Sequence, residues 1–303
     1  MKRKKVLFSF EKRNGVLEKL FPLLKAELTD IEIVYHDPKS DVLILENINK
    51  QYEDFDLFII KVASETSLDL LYFANLHNIK TLHDLKPVLT CKNKVALDHV
   101  LRKSLQQSNP DDMFHLPKSW CCSLSNKQKF KEWVKPKLPV VLKSHYQHNE
   151  YVRFNYLVRN MQEIDDFYET YKNLLYYDVY IQKFIECDGI DRKIYVMDEK
   201  VFGIRRKNPI YIFLEEHVET LDVETLERAQ FNPQPQIQKL ALSLAKDLGL
   251  KLFGFDLIKP IDQEGYYLID LNDFPGFRGI KQNCDYLLDF FESFIQKSLN
   301  SES

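Results

Sequence analysis

Two acidic residues stand inside otherwise apolar runs, Asp256 within FGFDLI and Asp270 within YYLIDLN. The runs at 253–259 and 266–272 are joined by a polar turn containing Gly265, a pattern that predicts an antiparallel hairpin. Side chains on a strand alternate between faces, so Asp270 and Asn272 share one face while Ile269 and Leu271 take the other. The hairpin can bring Asp256 beside Asp270. Two carboxylates and an amide oxygen converging among apolar residues repel one another unless a positive group lies between them. Hard oxygen ligands of this kind suit Mg²⁺, which commonly bridges nucleotide phosphates. A lone D-x-N more often caps a turn; the second acidic strand before it and FPG after it point to a metal site.

Basic residues sit at comparable places. Lys143 ends the apolar strand LPVVLK and Lys61 ends LFIIK, where a lysine can also extend to solvent. Lys193, Arg205 and Arg206 lie on two β-rich runs, 192–197 and 200–206, joined through Asp198–Glu199 as a hairpin. Alternation puts Arg205 and Arg206 on opposite faces, so one of them is a solvated residue. His148 is a loop histidine close to His145.

The elements that must carry these residues follow an α/β pattern. Runs 6–10, 31–35 and 56–62 read as buried strands, and 16–28 and 67–77 carry apolar residues at helical spacing, which makes a small doubly wound unit. One long helix is expected over 89–107. Strands follow around Trp120 and at 138–144, 151–158 and 178–186, with helices at 127–133 and 164–174. Helix 237–248 stops at Gly249, and a last helix covers 286–298. The expected division is 1–90, an N-terminal α/β domain, 91–180, a central subdomain, and 181–303, a C-terminal subdomain with the hairpin.

Composition narrows the chemistry. Only 8 of 303 residues are glycine, and seven of those lie after residue 188. A Walker A loop, a Rossmann fingerprint and a serine-hydrolase elbow all need glycines at fixed spacing, and none of these motifs occurs. Phosphate, if bound, must be held by side chains. The 42 Lys+Arg against 45 Asp+Glu argue against broad nucleic-acid binding. No apolar run reaches the roughly 18 residues of a membrane span, and the first apolar run stops at Glu11, too short for a signal peptide. Five cysteines without a C-x-x-C pair read as reduced thiols. A cytoplasmic monomer is expected.

The motifs FGFDLI and IDLNDFPGF resemble the metal hairpin of the ATP-grasp superfamily, and within it that of the inositol 1,3,4-trisphosphate 5/6-kinases. FIIKVAS, LPVVLKSHYQH and QKFIECDGIDRKIYVMDEKVFGIRR fall in the order and spacing of that family. The resemblance implies an ATP-grasp fold, with an N-terminal α/β domain and two α+β subdomains clamping the nucleotide. It implies ATP and Mg²⁺, two ions, with Asp256, Asp270 and Asn272 as metal ligands. Lys94 and Lys143 would contact ATP phosphates, and Gln182, Lys183, Phe184 and Ile185 would form the hinge under adenine. Lys193, His148 and Arg206 would be catalytic residues at substrate-phosphate positions. Arg13, Lys61 and Gly276 would complete the substrate side, and the acceptor would be a small inositol phosphate.

The chain departs from the family in two places. The loop SHYQHNEY after Lys143 lacks glycine where many of these kinases have one. The stretch after Arg206 is short and acidic. A carboxylate–amine ligase of the same superfamily is the alternative, since its central hairpin is similar. Such ligases usually present glutamate before x-Asn, where Asp270 stands here. A catalytically silent nucleotide-binding scaffold is disfavoured because the metal ligands and the phosphate lysine are all present.

Overall fold

The computed structural model describes residues 3–12, 15–146, 154–174, 178–216 and 225–300. In chain order its strands are β1 (Lys5–Ser9), β2 (Glu32–His36), β3 (Leu57–Ile60), β4 (Lys80–Thr81), β5 (Phe114–His115), β6 (Ser119–Ser123), β7 (Val140–Ser144), β8 (Asn155–Val158), β9 (Asp178–Lys183), β10 (Ile190–Met197), β11 (Lys200–Lys207), β12 (Ala229–Phe231), β13 (Leu252–Ile258) and β14 (Tyr266–Asn272). The helices are α1 (Gly15–Glu27), α2 (Ile48–Tyr52), α3 (Glu65–Leu76), α4 (Leu85–Lys92), α5 (Lys94–Gln107), α6 (Lys127–Val134), α7 (Met161–Thr170), α8 (Pro209–Glu216), α9 (Pro235–Leu248) and α10 (Asn283–Asn300).

The strands form three sheets. The first, in order β2-β1-β3-β4, is parallel, as continuous apolar strands alternating with helices require. The second, β6-β9-β7-β8, is antiparallel. The third, β12-β11-β10-β13-β14-β5, contains both expected hairpins. Asp198 takes a left-handed conformation, φ 54°, in the β10–β11 turn. Gly249 caps α9 at φ 67°, a backbone region that costs glycine nothing.

The cores do not follow the expected boundaries throughout. Residues of β6 to β9 and α6 and α7 build a core drawn only from positions 120–181. By contrast, a single core joins β1–β3 and α1 to α10 and to Tyr195, Met197 and Ile204 of the third sheet. Helix α5 packs on the other face of the third sheet with α9, and β5 pairs with β14. Residues 94–115, expected in the central subdomain, thus belong structurally to the C-terminal sheet. The reason is packing: Leu97 and Leu101 share that sheet's core with Leu240 and Leu244.

The long helix expected over 89–107 is two helices. Asn93 sits between them at φ −103°, ψ 109°, and its side chain accepts hydrogen bonds from the amides of Val95 and Ala96. An asparagine that can cap the next helix breaks the apolar periodicity that ran through it. Among the described residues, no helix is long and apolar enough to cross a membrane.

Candidate active site

One face of the third sheet is sealed by α5 and α9, and one end of the other face by α10 and the N-terminal helix layer. The remaining part of that second face carries charge. Asp256 stands directly opposite Asp270 in the β13–β14 ladder, and Lys193 of β10 directly opposite Asp256. The register shifts just after Asp256, a bulge of the sort that re-aims a side chain. Gly254, two residues earlier, lies opposite Asn272. A Cβ there would come within 2.9 Å of the Tyr195 ring and 3.1 Å of the Ile194 carbonyl, so glycine permits the close approach of β10.

Each carboxylate has a lysine. Lys193 Nζ donates to both oxygens of Asp256 at 2.7 and 2.6 Å. Lys94 Nζ bonds Asp270 Oδ1. Burial alone would push the Asp270 carboxyl up, but Lys94 and Lys143 outweigh it and hold it at about 2. Lys94 is placed by the Asn93 cap and by its own amide, which donates to the His145 carbonyl at 3.0 Å. Lys143 arrives from β7 of the second sheet, and its Nζ donates to the Ile269 carbonyl at 2.9 Å. Lysines from two elements outside the third sheet therefore meet at its hairpin.

Arg206 lies opposite Asp191 across β10–β11 and donates to Asp191 Oδ2 through Nε at 3.2 Å and Nη2 at 3.0 Å. Arg205 is the solvated member of the pair, lying over the Phe231 ring. Gln182 is buried at the end of β9, and Lys183 donates to the carbonyls of Lys137 and Leu138 at 3.0 Å. Phe184 and Ile185, half-buried, lead from the second sheet to the third. Lys61 reaches across from β3 and donates to the Phe274 carbonyl. Burial, with Lys92 nearby, pushes its ammonium down to about 7. Gly276 is half-buried in the following turn. Arg13 and His148 lie outside the described residues.

Sequence reasoning missed several groups here. Lys92 and Asp273 form a buried ion pair at 2.7 Å beside Lys61. Asp191 and Asn208 bond each other at 2.6 Å beneath Arg206. Glu11 pairs with Lys39 at 2.9 Å. An aspartate two residues before Lys193 on a strand shares its face, and that alternation was the available signal for Asp191.

Solved structures share this architecture over nearly the whole chain. A D-alanine–D-alanine ligase from Bacillus anthracis superposes with TM-score 0.68 at 15% identity, covering 98% of this chain and 97% of its own. D-alanyl-alanine synthetase A from Vibrio cholerae gives 0.70 at 13% identity, covering 99% and 100%. A RimK domain ATP-grasp protein from Sphaerobacter thermophilus gives 0.67 at 16% identity, covering 94% and 98%. This chain has the ATP-grasp fold.

Among ATP-grasp sequences, its similarity runs to inositol phosphate kinases. The profile of the inositol 1,3,4-trisphosphate 5/6-kinase ATP-grasp domain matches residues 212–293, which contain the β13–β14 hairpin. Inositol-tetrakisphosphate 1-kinase 1 of Oryza sativa is 30% identical over 146 residues, 42% of this chain and 41% of the rice protein. Inositol-tetrakisphosphate 1-kinase 3 of Arabidopsis thaliana is 26% identical over 134 residues, 38% of each. The matched segment thus spans about two-fifths of the length of these curated relatives.

Proposed function

We propose that this protein is an ATP- and Mg²⁺-dependent kinase that transfers the γ-phosphoryl group of ATP to a hydroxyl of an inositol phosphate. The observation that carries this reading is the opposed pair Asp256 and Asp270 on a hairpin inside the matched segment, reached by Lys94 and Lys143 from two other elements.

The donor set fits the metal. Asp256, Asp270 and Asn272 offer oxygen ligands only, and Asp270 is anionic at any ordinary pH. Mg²⁺ held there would offset charge on the β- and γ-phosphates. Lys143 and Lys94 bind the phosphate oxygens of ATP, while Gln182 to Ile185 support the adenine. Lys193 and Arg206 hold the acceptor's own phosphate, Arg206 through a fork suited to phosphate geometry. With Lys61 and the Gly276 turn they orient the acceptor hydroxyl toward the γ-phosphorus. Phosphoryl transfer through a loose transition state needs positioning and charge stabilisation above all, so the site works without a dedicated general base.

The test uses purified protein, Mg²⁺, γ-labelled ATP and a panel of inositol phosphates. Label is expected on the polyol. Phosphate released only when a carboxylate and an amine are both supplied, with no label on any polyol, would establish the ligase instead. Asp270→Asn is expected to lower transfer by about 100-fold or more, the scale of losing one charge-positioning group, with the circular dichroism spectrum unchanged.

A further inference from the structure

We infer that Asp98 is a positioning residue for the nucleotide: it ties helix α5, which presents Lys94, to strands β6 and β9, so that Lys94 and Lys143 reach the same phosphates. The inference rests on the nucleotide half of the kinase reading and is independent of the acceptor. Asp98 lies one helical turn after Lys94 on the same face of α5. Its Oδ1 accepts from the Tyr180 hydroxyl at 2.7 Å and from Ser119 Oγ at 2.8 Å, and its Oδ2 accepts from Arg102 Nε at 2.7 Å. Arg102 Nη2 donates in turn to Ser119 Oγ at 2.9 Å and to the Pro117 carbonyl at 2.8 Å. One carboxylate on α5 thus receives a hydroxyl from each of the two strands by which the chain enters and leaves the second sheet.

Tyr180 leads from Asp98 to Lys143. The two stand directly opposite each other in the β7–β9 ladder, so their side chains share the face that alternates with the buried Leu142, Val179 and Ile181. Tyr180 is 5% exposed, and burial together with Asp98 pushes its phenol above the ordinary value, so the hydroxyl stays a donor. At the start of α5 the Lys94 amide already donates to the His145 carbonyl beyond β7. One attachment leaves a pivot; a second, about 6 Å further along the helix, fixes the angle of α5 against the second sheet. Neither uses an ammonium group, whereas the bond from Lys143 to the Ile269 carbonyl does. In the kinase reading the acceptor is held by Lys61, Lys193 and Arg206, all on the first and third sheets. ATP alone is held by lysines from both sides of the junction. Fixing that junction in advance lowers the ordering cost of binding ATP and leaves the acceptor's unchanged.

The experiment measures the Kd of a non-hydrolysable ATP analogue with Mg²⁺ by isothermal titration calorimetry, and KM for ATP and for the best inositol phosphate. Wild type, Tyr180→Phe, Asp98→Asn and the double variant are compared. Each single substitution is expected to weaken nucleotide binding by about fivefold to tenfold, the low end of ordinary coupling between sites. KM for ATP should rise in step, with KM for the acceptor little changed. The double variant should bind no more weakly than Asp98→Asn alone, because both substitutions cut one path. A merely structural role would move both KM values together, or lower thermal stability with nucleotide binding unchanged; either result overturns the inference, and so do additive losses in the double variant. Tyr180→Phe deletes one oxygen and keeps the ring, so it decides the matter if Asp98→Asn does not fold. Nucleotide binding without transfer to any polyol would overturn the kinase reading alone, the Kd series still deciding the role of Asp98. A wild type that binds no nucleotide would overturn both.

Discussion

Lys143 is 7% exposed, and burial pushes its ammonium down to about 8, with Asp270 restoring part of the loss. In the unfolded chain the same group titrates near 10.4. Below pH 8 both states carry the charge, and the folded state bears the full cost of burying it. Between about 8 and 10.4 the unfolded chain binds the extra proton, so stability rises with pH and the cost disappears. Lys143→Met is therefore expected to stabilise the protein by on the order of 2–3 kcal/mol at pH 7, and by little at pH 10.5, in urea titrations. Phosphoryl transfer should be lost at both pH values. Lys143, Asp256 and Asp270 were legible in the sequence because each is a charge inside or at the end of an apolar strand. Lys92 and Asp273 were not. One sits in an ordinary amphipathic helix and the other in a turn, and only the tertiary fold makes them a buried pair.

At the level of elements, the junction of α4 and α5 matters most. Asn93 both ends one helix and caps the next, and so fixes where Lys94 begins its reach to Asp270. Asn93→Ala removes two capping hydrogen bonds and is expected to cost about 1 kcal/mol in chemical denaturation. It should also raise the KM for ATP several-fold with kcat less affected, because a displaced Lys94 weakens phosphate binding. The sequence pattern hid this junction, since the apolar spacing of one helix continues into the other. Hairpins β10–β11 and β13–β14 were plain from alternation and from Asp198 and Gly265 in their turns. Strands β4, β5 and β12 were not, being two or three residues long with too little sequence to alternate.

For the whole molecule, the cores define two bodies of unequal size. The unit built on β6 to β9 has its own core, and it contains both tryptophans of the chain, Trp120 and Trp133, in edge contact at 5.7 Å. One core joins the first and third sheets, and two further cores cover the outer face of each, with α2, α3 and α4 on the first and α5 and α9 on the third. Tryptophan fluorescence therefore reports the smaller body and far-ultraviolet circular dichroism the whole. On heating without nucleotide, the fluorescence transition is expected to come first. Mg²⁺ with ATP should bring the two transitions together, because a ligand bound by both bodies couples them. Coincident transitions in both conditions would count against this division.

The chain enters that smaller body through β6 and leaves it through β9, and these strands are neighbours: the Lys183 amide donates to the Lys118 carbonyl at 2.8 Å, and Ser119 pairs with Gln182. The smaller body is thus mounted on a two-stranded strap. A strap bends across its flat side but resists sliding and twisting, since either would shear the hydrogen bonds between its strands. A movement that kept these hydrogen bonds would bend the strap across its flat side, and it would change the distance from Lys143 to the hairpin.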